Sequence, residues 1–264
     1  MSESFDLLTT TRWDPYLDRL AWNNYDKQPS RFLLLAFHLD RLQQAAAAHE
    51  WPAAVAALSY PALHEKCQAA VASYDAVNAP EALRIRITLS RAGLLTVTAF
   101  PIPPFKSDPT SPSFFKPLTD SATLYGPALA LFADTQPMPP PNLFTSTKTT
   151  ERTLYNAART RVGLSPTSTD AHADVLLYNP ADQITESSVA NVAFYHVDTW
   201  VTPPLASGCL PGVLRRWLLQ HKRIREAEPH ELATKAALRP GHWVLLFNSL
   251  YGCRLGRIAD ASSP

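Results

Sequence analysis

Lys148 stands between Thr145, Ser146 and Thr147 on one side and Thr149 and Thr150 on the other, with Arg152, Arg159 and Arg161 following within thirteen residues. The chain's other six lysines sit in charged, proline-rich or helix-surface contexts. An amine held among small hydroxylated side chains and beside cations can have its pKa lowered, which is what Schiff-base chemistry asks of a lysine. Taken alone, such a lysine is more often a solvated residue at a helix start. Thirty-eight residues further on, Ile184 to Tyr195 places a glutamate, Glu186, just ahead of an apolar run that begins after Asn191.

Together these two stretches resemble the class IV aminotransferase family, the fold-type IV enzymes that use pyridoxal 5'-phosphate (PLP). The likeness lies in K-x-x-x-R, from Lys148 to Arg152, then a strand, a turn and T-E-x-x-x-x-N, from Thr185 to Asn191. It implies PLP carried on Lys148, with Arg152 and Ser188 among the cofactor contacts. It also sets Glu186 against the pyridine nitrogen, because a protonated ring is the better electron sink. His38 to Leu42 matches the family's H-x-x-R-L, which makes Arg41 the phosphate ligand. A guanidinium fork grips a phosphate in two-point geometry; the alternative is a helix-surface arginine paired with Asp40 or Glu50. His38 reads as a cap or packing residue.

Gly208 to Arg215 resembles the family's L-P-G-hydrophobic-x-R turn into a helix. Backbone N–H groups at such a start form an anion site, so Val213 and Leu214 are expected to hold the phosphate by backbone. Asn248 to Gly252 resembles the last cofactor-contacting turn and adds Asn248 and Ser249. Phe5 to Trp13, alternating and threonine-rich, reads as a strand. It resembles the one that carries a threonine or acidic pair into the active site, which makes Thr10 a catalytic and substrate-binding candidate. Members normally begin earlier, with a further strand and a glycine-rich loop, so that wall is expected to come from elsewhere.

The elements that must position these residues follow from pattern. Arg31 to Phe37 is an apolar, strand-like run, followed by a helix to His49, and Pro61 to Val77 is a second helix. Leu83 to Ser90 alternates strictly, so Arg84, Arg86 and Thr88 share one face. By the resemblance Arg86 faces substrate, where a cation suits a carboxylate; the other reading is a solvent-facing arginine ladder. Six prolines between Pro101 and Asp120 mark a loop. Ala128 to Phe132 is a strand, and Pro137, Pro139, Pro140 and Pro141 forbid regular structure ahead of Lys148. Arg152 to Arg161 is helical. Ala173 to Tyr178 and Gln183 to Glu186 form a hairpin, as do Val192 to His196 and Thr199 to Thr202. Arg215 to Arg225 reads as a helix with a charged face, Glu226 to Ala237 as a further helix, and His242 to Phe247 as a strand.

The 264 residues are 46% apolar and 18% charged with a formal charge of +1, enough for a large core and without the basic stripe of a nucleic-acid binder. Cys67, Cys209 and Cys253 lie far apart with no metal-ligand spacing, which suits a reducing compartment. Met1 to Ser4 is polar and acidic with no cleavable apolar stretch after it, and no run approaches a membrane span. A cytoplasmic protein is expected, with no metal, nucleic-acid or membrane partner.

The expected architecture is α/β (α+β) of fold-type IV: an N-terminal sheet-and-helix lobe over 1–105, a Pro/Ser-rich linker over 106–122, and a barrel-like PLP-binding lobe over 123–264. The resemblance implies PLP in the cleft between lobes, a small-molecule substrate and a homodimer. Three activities fit it: a lyase converting 4-amino-4-deoxychorismate to 4-aminobenzoate and pyruvate, a transaminase acting on an amino acid or amine, and a binding protein without cofactor. The first leads, because Glu186 to Asn191, Thr9 to Arg12 and Asn248 to Leu250 look like the lyase forms of these segments in fungal-type members.

Overall fold

A computed structural model, which describes residues 5–78, 81–167 and 172–260, divides the chain into two units. One is Met1–Asp108 with Thr147–Glu151; the other is Pro109–Ser146 with Arg152–Pro264. Met1 to Ser4, read above as a polar opening, lie outside the described residues.

In the first unit β1 (Leu7–Trp13) precedes a small ribbon, β2 (Asn24–Tyr25) and β3 (Gln28–Pro29). Three helices follow, α1 (Leu35–Ala48), α2 (Pro52–Ala57) and α3 (Tyr60–Asn78), and then β4 (Leu83–Leu89) and β5 (Leu95–Pro101). The main sheet is antiparallel in the order β1-β4-β5. The alternation of β4 does what its pattern requires: Leu83, Ile85, Ile87 and Leu89 are fully buried, while Arg84, Arg86 and Thr88 face the other way. The buried row packs with Leu35, Leu39 and Leu42 of α1 and Leu63, Cys67 and Val71 of α3. Each of those leucines contributes about 1.5–3 kcal/mol by leaving water.

The strand expected over Arg31 to Phe37 does not form. Phe32 makes one bridge to Trp13, Leu33 and Leu34 turn, and α1 begins at Leu35. Backbone pairing is confined to that bridge, where Asp14 N donates to Arg31 O and Leu33 N to Arg12 O at 2.9 Å each, and side chains take the groups beyond it. Leu33 O accepts from Thr11 Oγ1 at 2.7 Å, and Leu34 N donates to Asn23 Oδ1 at 2.8 Å with Leu34 at φ +53°.

The second unit holds β6 (Leu129–Ala133), α4 (Leu143–Ser146), α5 (Thr153–Arg161), β7 (Ala173–Tyr178), β8 (Ile184–Ser187), β9 (Asn191–His196) and β10 (Thr199–Thr202). It continues with α6 (Val213–Gln220), β11 (Ile224–Glu226), β12 (Trp243–Asn248) and β13 (Gly252–Ile258). One mixed sheet runs β11-β10-β9-β12-β13-β6-β7-β8 and curls into a half-barrel over Leu131, Leu176, Ile184, Val192, Val244 and Leu246. The proline-rich stretch from Pro109 folds with this unit, where Ser111–Phe114 and Ala122–Tyr125 form short 3-10 turns.

Two helical expectations fail here for the same reason. The charged helix stops at Gln220, because Ile224–Glu226 pairs in parallel with β10, and Arg215 is buried against Glu226 at 2.6 Å. Glu226 to Ala237 is not a helix either. It contains only the turns Pro229–Glu231 and Lys235–Ala237, since its backbone bonds the β7–β8 hairpin: Ile184 N donates to Ala233 O at 2.8 Å and Lys235 N to Asp182 O at 2.8 Å. No helix among the described residues is long and apolar enough to cross a membrane.

Candidate active site

The Lys148 segment is held along the outer edge of β1. Leu8 N donates to Lys148 O at 2.8 Å, Thr150 N to Asp6 O at 2.9 Å, and Asp6 N to Thr150 Oγ1 at 3.0 Å, while Thr149 bridges Leu7. Thr147 and Thr149 are buried and Lys148 is half-buried between them. Thr147 Oγ1 lies 2.8 Å from His49 Nε2. The hydroxylated neighbours thus fix the backbone that carries the lysine.

Arg41 leaves α1 toward the same edge. Its Nη2 donates to Thr9 Oγ1 at 2.5 Å, and Thr9 Oγ1 lies 2.6 Å from His38 Nδ1. Arg41 Nε is buried without a hydrogen-bond partner, and no carboxylate pairs with this guanidinium among the described residues. Burial pulls Arg41 down to about 10, which still leaves it charged at neutral pH. His38 is held well below its ordinary value by burial, then by the charges of Arg41 and Lys148. A half-buried guanidinium with an orphaned donor and no acidic partner is what a phosphate group would complete.

Thr10 and Arg86 are directly opposed in the β1–β4 register, with Thr98 next in the row. Strand alternation sets them on the face opposite Thr9, away from the helices. Arg84 on the same face stacks over Phe100 at 4.6 Å, and Arg12 pairs with Asp14 at 2.8 Å. Thr10 and Arg86 therefore come together, but on the other side of the sheet from Arg41.

In the second unit the hairpin delivers Glu186 to a buried position, 5% exposed. Its Oε1 accepts from Tyr155 Oη at 2.8 Å and its Oε2 from Leu210 N at 3.1 Å. Arg152 donates from Nη2 to Ser188 O at 2.8 Å and lies over the Tyr155 ring at 5.1 Å. Burial, then Glu186, hold the Tyr155 phenol well above its ordinary range, so it stays a donor. The Ser188 hydroxyl is engaged by Asp174 Oδ1 at 2.5 Å and Arg159 Nη1 at 3.0 Å, which leaves it a brace for the loop.

Val213 and Leu214 open α6 after Gly212, which caps the helix with no side-chain bond to the first turn. A Cβ on Gly212 would lie 1.9 Å from Asn191 Oδ1, so only glycine admits the approach of Asn191, whose Nδ2 holds Leu210 O at 2.8 Å. Asn248 binds its own turn, accepting from Leu250 N at 2.9 Å and Tyr251 N at 2.8 Å, and donates to Val189 O at 3.1 Å. Ser249 is buried in that turn. Glu186, Arg152, Ser188, Asn248 and the α6 start are thus tied together through the 186–191 loop and Leu210. Sequence reasoning missed Thr9, Tyr155 and the Leu210 N–H. Tyr155 alone carried a signal, three residues after Arg152 and so on its helical face.

The sequence pattern of the family described as Amino-transferase class IV matches residues 17–256. The chain is 30% identical over 220 residues to an aminodeoxychorismate lyase of Saccharomyces cerevisiae, a match covering 74% of this chain and 55% of that protein. It is 33% identical over 176 residues to a Schizosaccharomyces pombe protein provisionally given the same name, covering 66% of each. The chain thus spans less than two thirds of either relative. A crystal structure from Mesorhizobium loti, described as that of an amino-acid aminotransferase, superposes with a TM-score of 0.68 at 26% identity, covering 97% of this chain and 100% of that one.

Proposed function

Because the chain belongs to the class IV aminotransferases, we propose that it is a PLP-dependent lyase that converts 4-amino-4-deoxychorismate to 4-aminobenzoate and pyruvate. The observation that carries the reaction is that both fungal relatives bear the name of this lyase. The orphaned donor of Arg41 and the buried carboxylate of Glu186 support the cofactor.

In this reading Lys148 would carry PLP and Arg41 would grip its phosphate. Glu186 would serve the ring nitrogen, the N–H groups of Val213 and Leu214 the phosphate, and Arg152, Asn248 and Ser249 would be further cofactor contacts. Bound PLP supplies the electron sink that makes the carbon bearing the substrate amine acidic. Lys148, once the substrate amine has displaced it from the cofactor, would take the proton from that carbon. Glu186 keeps the ring nitrogen protonated, held in place by Tyr155 and Leu210. The C–O bond to the enolpyruvyl group breaks as the ring aromatises, and Lys148 or Thr10 returns a proton to the departing group, which leaves as pyruvate. Atoms and charge balance without an oxidant or an amino acceptor. Arg86, opposite Thr10 in the β1–β4 register, would take a substrate carboxylate.

The Mesorhizobium loti structure favours the second reading, a transaminase acting on an amino acid or amine. Pyruvate release from aminodeoxychorismate with no keto acid present tests the first reading. Absence of pyruvate from protein loaded with PLP overturns it.

A further inference from the structure

Thr9, His38 and Arg41 form one hydrogen-bonded line in the first unit. A guanidinium only donates, so Thr9 Oγ1 accepts from Arg41 Nη2 at 2.5 Å. The same oxygen lies 2.6 Å from His38 Nδ1. Thr9 and His38 are both fully buried, and no other acceptor for the threonine hydroxyl is present among the described residues. The ring and the hydroxyl each bring a proton to this dry site: an Nδ1–H would strand the threonine proton and an Nε2–H would itself lack a partner, and either costs about 1–3 kcal/mol. In both cases Thr9 Oγ1 is tied to the ring at 2.6 Å while it accepts from Arg41.

Burial and the charges around the ring keep it neutral. Arg41 on its own helix and Lys148 on the neighbouring segment disfavour a second proton, after burial itself; the Leu33 carbonyl is the one group that acts the other way. His38 Nε2 has no hydrogen-bond partner, so the ring's polar role in the protein is at Nδ1 alone.

We infer that Thr9 and a neutral His38 are positioning residues for Arg41: the histidine orients the threonine hydroxyl, and the hydroxyl pins one guanidinium nitrogen so that the others are held ready for an anionic phosphate. A long arginine side chain loses much rotamer freedom when it binds an anion, and fixing it beforehand removes that cost from binding. The neighbouring Thr10 cannot do this, because alternation sends its side chain to the opposite face of the sheet. The inference rests on the proposal that Arg41 takes the cofactor phosphate.

The test compares PLP with pyridoxal, which lacks the phosphate, by equilibrium dialysis against the full chain freed of cofactor. Thr9→Val is expected to weaken PLP roughly ten- to a hundred-fold, the scale of one hydrogen bond to a charged group, and to leave pyridoxal unchanged. Thr9→Ser restores PLP. His38→Asn, which offers Oδ1 where Nδ1 stood, keeps the parent's preference for PLP at neutral pH. Parent-like PLP binding by Thr9→Val overturns the inference, and so does an equal loss of both ligands that Thr9→Ser fails to rescue. Retention of the parent's preference in His38→Leu, which has no polar atom to meet Thr9, removes the histidine from the line. Arg41→Ala separates the two levels. If it leaves the preference intact, the phosphate assignment itself fails; if it abolishes the preference while Thr9→Val does not, that assignment stands and the positioning role falls.

Discussion

Replacing Glu186 with glutamine separates what this carboxylate does for folding from what it does for chemistry. It is 5% exposed, and its carboxylate accepts from Tyr155 Oη at 2.8 Å and from Leu210 N at 3.1 Å. The glutamine oxygen can stay toward Leu210, whose N–H only donates, and its amide nitrogen can face Tyr155, whose hydroxyl rotates to accept. Two charge-assisted bonds become neutral ones, at about 1 kcal/mol each, and relief from burying a carboxylate offsets part of that. Stability should therefore fall by no more than about 2 kcal/mol. Turnover should fall far more, roughly 10²–10³-fold or about 2.7–4 kcal/mol, the scale of removing one preorganised electrostatic partner. Urea unfolding alongside steady-state pyruvate release measures both. A variant that turns over at the parent rate refutes the assignment to the ring nitrogen. A stability loss well beyond 4 kcal/mol would refute the hydrogen-bond reasoning.

Borohydride reduction of the PLP-loaded protein, followed by peptide mapping, should place the pyridoxyl label on Lys148; a label on any other lysine defeats its role. Arg41→Ala should weaken PLP binding by roughly 2–5 kcal/mol, measured as a dissociation constant, because a charge-paired phosphate contact is removed. Gly212→Ala should lower the Tm, since its Cβ would collide with Asn191 Oδ1 at 1.9 Å and disturb the Leu210 N–H that Glu186 accepts; an unchanged Tm would show that the turn relaxes freely. Burial pushes Cys67 and Cys209 up from 9.0 to about 12, so the native thiols stay protonated while unfolded ones ionise. Stability from these groups is complete below about pH 9 and is lost as pH rises toward 12, which unfolding at stepped alkaline pH checks. His38 has the opposite sign: stability falls as pH drops below 6.5 and the unfolded imidazole takes a proton that the folded one refuses. A protein equally stable on both sides of that value would contradict it.

What was legible in the sequence is what local pattern controls. The period-two burial of Leu83–Leu89 and the Asn179-Pro180 turn of the β7–β8 hairpin follow from alternation and turn chemistry, which act over a few residues. The family was legible because the residue types and spacing of the Lys148 segment and the Glu186 loop resemble its pattern, and the class IV aminotransferase match covers residues 17–256. What was not legible is settled by partners distant in sequence. Arg31 to Phe37 is apolar enough for a strand, yet Thr11 and Asn23 capture its backbone and turn it into α1. Glu226 to Ala237 has helical composition, yet Ala233 and Lys235 bond a hairpin some fifty residues earlier. Strands β5 and β13 and the short α2 passed unread, and the Thr9–His38–Arg41 line spans 29 and 32 residues with no periodic trace.

The most direct measurement is a product count with aminodeoxychorismate as the sole substrate. Pyruvate and 4-aminobenzoate are followed together over many turnovers, before and after a keto acid is added. The lyase account predicts equal amounts of both products, sustained without the keto acid and unaffected by its addition. A single turnover per active site that stalls, and resumes only when the keto acid arrives, would contradict it and establish a transaminase.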